Sequence, residues 1–169
     1  YLMGFLPEEQ GGSQLEAKTN GILAEELARV WGSLAGTIFI AAAFWWLLNE
    51  AGNEEQKARL LPQAASGEYF GCLAITEPDA GSDVSAVKTT ATPAGDAYVL
   101  NGTKTWISNG SIADAAFVLA TTDRSLGALG LSFLLVERKS SPFSARELHK
   151  LGLRSFPTAE LSFEDCRVP

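Results

Sequence analysis

Apolar and polar positions follow two different periods along this chain. From about Gln14 to Trp31 they recur at helical spacing: Ile22, Leu23, Leu27, Val30 and Trp31 fall on one face, opposite Glu25, Glu26 and Arg29. Ser33 stands where an N-cap belongs for a second helix running to about Glu50, with Gly52 past its end. Residues 34–48 of that helix are almost wholly apolar, with Phe39, Phe44, Trp45 and Trp46 among them. The run is shorter than the roughly 20 residues a membrane span requires, so the pattern predicts a buried helix. Asn53 caps a short helix over Glu54–Leu60, with Glu54 and Glu55 at its positive end, and Pro62 starts a further turn ending near Gly67. Ahead of these helices, Tyr1–Ser13 reads as a loop broken by Gly4, Pro7, Gly11 and Gly12.

From Tyr69 the period changes to the alternation of β-structure. The strands it predicts are Tyr69–Thr76, Ala86–Pro93, Ala97–Leu100, Thr103–Ser108, Ala115–Thr122, Leu131–Glu137, Ser144–Leu148 and Ala159–Glu164. Asn101-Gly102 carries the signature of a tight hairpin between the third and fourth. Short strands at this spacing suggest a barrel or sandwich. The expected architecture is α+β: an N-terminal α-helical segment over 1–67, then an antiparallel β-barrel or sandwich over 68–169, with the boundary near Gly67-Glu68.

Composition narrows the function classes. Apolar residues make up 46% of the 169 residues, enough for a packed core. A net charge of −7 argues against nucleic-acid binding, which needs clustered Lys and Arg. Cys72 and Cys166 are far apart and form no CxxC pair, so neither a metal site nor a disulfide framework is indicated. A single histidine, His149, cannot alone build a histidine-based triad or metal cluster. No secretory signal is visible, and the sequons at Asn101 and Asn109 read as turns. A start without Met and an end on Val168-Pro169 suggest a fragment.

The chemistry concentrates in two stretches. In Leu73–Ser85 an apolar run passes into Thr76-Glu77-Pro78-Asp79-Ala80-Gly81-Ser82-Asp83, where Pro78 ends the strand and Gly81 permits close backbone approach. Its N–H groups and hydroxyls, without positive charge, suit a flat polar ligand or a phosphate ester, and an ordinary turn has the same composition. The second stretch is Thr103-Lys104-Thr105-Trp106-Ile107-Ser108-Asn109-Gly110. Together TEPDAGSD and NGTKTWISNG resemble the flavin-binding signatures of the acyl-CoA dehydrogenase family, in the same order and at similar separation. The resemblance extends through Pro7–Gly12, where Gln10 replaces the usual aromatic, through Glu25–Arg29 and Gly52–Pro62, and on to Lys150–Arg154 and Glu164–Pro169.

The resemblance implies FAD as cofactor. The backbone of Leu73 and Ile75 and the hydroxyl of Thr76 would lie along the pyrimidine edge of the flavin, with Trp106 and Ile107 beside the ring and Ser108 toward N5. Ser108 stands where many members have threonine, and Ser82 would bond the cofactor or the CoA portion of the substrate. The implied reaction is α,β-desaturation of an acyl-CoA thioester, with electrons passed to an electron-transfer flavoprotein. The family's glutamate base lies in a C-terminal helical domain that this chain lacks; none of Glu8, Glu54, Glu77 or Glu164 matches it, so no catalytic base is assigned and the chain alone is expected to be inactive. Arg124 or Ser125, on the loop at 121–130, would face the CoA, although that loop aligns poorly with the family's and also reads as a solvated turn. A homodimer or homotetramer is implied, in the cytoplasm or, in a eukaryote, the mitochondrial matrix, with no nucleic acid, membrane or metal involved. A reduced-flavin monooxygenase or acyl-CoA oxidase of the same fold, or a non-catalytic module that keeps it, stays open.

Overall fold

A computed structural model describes Gly4 and residues 6–169, with the side chains of residues 64 and 65 left out; the remainder of the expected Tyr1–Ser13 loop lies outside the described residues. Two helices precede a curled sheet. Helix α1 (Ala17–Ala51) is interrupted at Trp31, whose φ of −151° and ψ of 87° are not helical. This is where the sequence pattern places the end of one helix and the start of the next. Helix α2 (Glu54–Ser66) runs through Pro62 as one element. Asn53 caps it: its Oδ1 accepts from Gln56 N at 2.8 Å, and Gln56 Oε1 accepts from Asn53 N at 3.0 Å, a reciprocal box.

Seven strands follow: β1 (Gly71–Ala74), β2 (Thr90–Ala94), β3 (Ala97–Ser108), β4 (Ala115–Thr121), β5 (Leu131–Glu137), β6 (Ser144–Glu147) and β7 (Thr158–Val168). They form one sheet in the order β1-β4-β2-β3-β7-β6, with β5 paired to β4 along the edge opposite β1. The expected class holds, but the sheet is mixed, because β1 runs parallel to β4 in the register Gly71↔Ala115 to Ala74↔Val118. Parallel neighbours need a long crossover, and here residues 75–114 supply it.

The Asn101-Gly102 hairpin expected from sequence is a bulge inside one long strand. The reversal lies at Gly95-Asp96, between the paired Ala94 and Ala97, with Gly95 at φ 70°. At residue 102 the register of β3 on β7 slips, and φ is 152°. A Cβ there would fall 2.4 Å from Thr89 Oγ1, so the glycine is required by close approach rather than by a turn. Asn101 and Asp165 pin the bulge, Asp165 N donating to Asn101 Oδ1 at 2.8 Å and Asn101 Nδ2 to Asp165 Oδ1 at 3.1 Å.

Strand β4 is buried along its whole length, and its alternate residues enter different cores. Ala116, Val118 and Ala120 join Leu100, Ile107, Val136, Leu161 and Phe163 inside the curl of the sheet. Ala115 and Phe117 turn outward to Leu6, Phe44, Trp45, Leu48, Leu60 and Leu61, which fixes the helices on the sheet. Phe44 lies 5.0 Å from Phe117 and 5.1 Å from Trp45, centroid to centroid. Each such ring buried contributes about 1.5–3 kcal/mol.

The expected burial of the first helices is only partly realised. Phe44, Trp45 and Leu48 are buried, yet Ile22, Val30, Trp31, Phe39 and Trp46 are exposed. Helix α1 is long and apolar enough to cross a membrane by length and composition, and 28% of its most apolar window is buried. Periodicity groups apolar residues on a face but does not say what covers it. Within the described residues the stretch around residues 41–48 packs on the sheet, and Thr37 is tied to the residue that follows β3, Asn109.

Candidate active site

Strand β1 ends at Ala74, and the chain then runs across the middle of β3. The crossing is held by hydrogen bonds: Thr105 N donates to Thr76 O at 2.9 Å, and Lys104 Nζ donates to Ile75 O at 3.0 Å. Thr76 is thereby set beside Thr105 and Trp106. The register of β3 on β7 slips again between Lys104 and Ile107, and Trp106 takes a φ of 60°. For a bulky residue this is a strained conformation, and it turns the indole outward, 60% exposed.

Of the residues singled out from sequence, Thr76 and Trp106 are thus brought together, and Ser108, half-buried, follows at the end of the same strand opposite Thr158. Ile107 has its side chain in the inner core at 2% exposure, which leaves only its backbone to meet a ligand. Leu73 packs against the helical core and Ile75 against the small cluster of Ala80, Val87 and Leu119. Ser82 lies on the exposed loop beyond Pro78. Among the described residues the hydroxyls of Thr76, Ser82 and Ser108 make no hydrogen bond. An exposed indole, with unpartnered hydroxyls on its own strand and on the segment crossing it, suits a flat ligand with a polar edge, which is what a flavin presents.

Two residues that hold this arrangement received no role from sequence. Lys104 is fully buried and Glu77 nearly so, and Lys104 Nζ lies 2.8 Å from Glu77 Oε1. That oxygen also accepts from Thr89 N at 2.9 Å and from Thr89 Oγ1 at 2.5 Å, while Oε2 accepts from Lys88 N at 2.7 Å. Burial alone would raise the Glu77 carboxyl, but the bonds from Lys104, Thr89 and the Lys88 backbone outweigh it and hold it below the usual range. Burial lowers the Lys104 ammonium, an effect Glu77 partly offsets. A signal was present: Lys104 stands inward on β3 in company with Leu100 and Ile107, and a lysine in a core requires a carboxylate.

Asn109, next after Ser108, is the other unforeseen residue. It is fully buried at φ 62°, donates from Nδ2 to Thr37 O of α1 at 2.9 Å and from its backbone N to Pro157 O at 2.8 Å. It ties the end of β3 to the helices.

The loop at 121–130 borders a cavity of about 290 Å³ lined by Ser85, Lys88, Thr121, Arg124 and their neighbours. Arg124 Nη2 donates to Lys88 O at 2.8 Å, and Asp123 Oδ1 accepts from Ser125 N and Oγ at 2.9 and 2.6 Å. Among the described residues no group of three His, Cys, Asp or Glu could hold a metal ion.

Comparison with known proteins gives these features a context. The family model described as acyl-CoA dehydrogenase, middle domain, matches residues 72–166, and the one described as acyl-CoA dehydrogenase, N-terminal domain, matches residues 1–68. The chain is 41% identical to isovaleryl-CoA dehydrogenase, mitochondrial, of Pongo abelii, with 96% of this chain and 40% of that protein covered. It is likewise 41% identical to the short-chain specific acyl-CoA dehydrogenase of Clostridium acetobutylicum, with 96% and 43% covered. Butyryl-CoA dehydrogenase from Megasphaera elsdenii superposes with a TM-score of 0.93 at 32% identity, over 99% of this chain and 45% of that one. A glutaryl-CoA dehydrogenase from Mycobacterium smegmatis in complex with FADH2 superposes at 0.91 and 34%, over 99% and 43%. The chain thus spans about 40% of the length of the curated relatives it matches. With both domain models matched in order across almost its whole length, the chain belongs to the acyl-CoA dehydrogenase family.

Proposed function

We propose that this chain is the flavin-binding part of an enzyme that desaturates an acyl-CoA thioester between its α and β carbons. Members of the family are flavoproteins with FAD. The observation that carries the reading is the crossing of residues 75–77 over β3, which sets Thr76 beside an outward-turned Trp106. In this reading the backbone of Leu73 and Ile75 and the hydroxyls of Thr76 and Ser108 bond the polar edge of the cofactor. Trp106 and the backbone of Ile107 wall the ring, and Ser82 bonds the cofactor or the CoA portion. Bound flavin supplies the acceptor for a hydride from the substrate's β carbon. The chain's own residues orient the ring, keep water from its edge and hold it against the substrate. No residue here is assigned to remove the α proton.

Electron delivery to an electron-transfer flavoprotein belongs to the same proposal, as do assembly into a dimer or tetramer and a cytoplasmic or mitochondrial-matrix site. A structural relative described as an electron transferring flavoprotein of Acidaminococcus fermentans superposes at a TM-score of 0.94 and 38% identity. An oxygen-using reading has its own support in the prolyl acyl carrier protein oxidase AnaB, at 0.87 and 34%.

The test is an anaerobic visible spectrum of the whole protein carrying this chain, before and after a panel of acyl-CoA thioesters. A flavin band that bleaches with a thioester, and stays bleached on admitting air until an acceptor flavoprotein is added, is expected. Rapid recolouring in air favours the oxidase. A protein without flavin removes the reading.

A further inference from the structure

We propose that the buried Glu77–Lys104 pair is the positioning element of the flavin edge: it fixes Thr76 against Trp106 and closes the loop that presents Ser82. The proposal rests on the flavin reading above and adds to it two residues that never touch the ring.

Residues 75–77 have left β1 and belong to no strand ladder. What holds them is β3. Lys104 Nζ reaches Ile75 O on one side of Thr76 and Glu77 Oε1 on the other, while Thr105 N takes Thr76 O between them. Thr76 is therefore tied on both flanks, through the Ile75 carbonyl and the Glu77 carboxylate, to the strand whose next residue is Trp106. A shift of Lys104 moves Thr76 relative to the indole, and the spacing of the polar edge from the ring wall changes with it.

The same carboxylate governs the loop at 78–87. Lys88 N and Thr89 N, at its far end, both donate to Glu77, and Glu77 N and Ala80 N exchange bonds with each other's carbonyls at 2.8 and 3.2 Å. The loop is cinched at its base by one side chain, with Gly81 and Ser82 left exposed on its crest. Thr89 O in turn accepts from Thr121 N at 2.8 Å, which carries the anchor through to β4.

An apolar pair of similar volume would fill the same space, and such replacements often leave stability unchanged or improved. It would leave Ile75 O and the N–H groups of Lys88 and Thr89 without partners. The contribution peculiar to this pair is therefore geometric: it specifies where the backbone of the site lies.

The whole protein is stripped of flavin, and FAD is titrated back into wild type and into the double variant Glu77→Gln/Lys104→Met. That variant removes both charges together and keeps an amide oxygen for one of the two loop amides. The melting temperature of each apoprotein is recorded alongside. The double variant is expected to melt near wild type while its FAD dissociation constant rises about tenfold or more, as expected when a preorganised site is loosened. Its bound-flavin spectrum is expected to shift toward that of free FAD. A double variant that binds FAD with wild-type affinity and spectrum overturns the proposal. Lys104→Arg keeps the charge in a forked group that cannot occupy the same point, and covers the case of a double variant that does not fold. It too is expected to weaken FAD binding, and wild-type affinity there overturns the proposal equally. Wild-type protein that takes up no FAD overturns the flavin reading itself, and that outcome is seen before any variant is compared.

Discussion

The ring of Phe44 occupies the place a side chain at residue 71 would take: a Cβ built on Gly71 falls 2.0 Å from the Phe44 ring. The first residue of β1 is glycine because the helix presses its largest buried rings onto the strand at that point. Gly71→Ala is expected to destabilise the fold by about 1–3 kcal/mol or more, through overpacking. Phe44→Leu combined with Gly71→Ala is expected to recover part of that loss. Denaturant titration of both variants checks it, and additive losses would show that the two positions are not in conflict.

Acid should weaken the protein through two carboxylates. Bonds from Arg59 Nη2 at 2.6 Å and Nη1 at 2.8 Å hold Glu137 below the usual range, against its partial burial, and Tyr69 Oη adds a bond at 3.2 Å. Glu77 is depressed likewise. A depressed carboxyl contributes stability that is complete above its unfolded value, 4.5, and is lost as pH falls through the lower folded value. Melting temperature is expected to be flat from neutrality to about pH 5 and to drop below it. Glu137→Gln is expected to remove only a small part of that drop, within about 1 kcal/mol, because Arg59 is half-exposed. A flat profile to pH 3 would refute the assignment.

The thiols should be inert in the folded protein. Burial pushes Cys72 up to about 12 and raises Cys166 as well, so neither is a thiolate near neutrality. A thiol reagent at pH 8 is expected to label neither cysteine in native protein and both in denaturant. Fast native labelling of Cys72 would mean that the inner core opens on that timescale.

Trp106 should report on the ligand. Its indole is exposed, so Trp106→Ala costs little packing, and an apoprotein melting temperature within a few degrees of wild type is expected. Weaker FAD binding and loss of part of the tryptophan quenching on FAD addition are expected in the same variant. Unchanged quenching would place the flavin away from Trp106.

Local signals in the sequence marked local structure well. The helix break at Trp31, the Asn53 cap, the Leu131–Glu137 strand and the apolar run of β4 all depend on neighbours within a few residues, and the structure has each of them. Asn101-Gly102 misled because the dipeptide favours any conformation with φ positive, and a bulge uses it as readily as a hairpin does. The parallel β1–β4 pair could not be read, since its partners are separated by the whole crossover. The site was legible as two motifs, TEPDAGSD and TKTWISNG, but their mutual geometry was not. The link between them is a salt bridge from the interior of one to the interior of the other.

The alternation of β4 also bears on how the chain can come apart. One strand lines the inside of the curled sheet with Ala116, Val118 and Ala120 and the seat of the helices with Ala115 and Phe117. A cut in the exposed turn near residue 67 would sever only the backbone. The half bearing the sheet would be left with Phe117, Leu73 and Leu135 bare to water, and the helical half would lose the surface that orders Phe44 and Trp45. Heat or denaturant should therefore meet a single cooperative transition, with the helices and the sheet melting as one body.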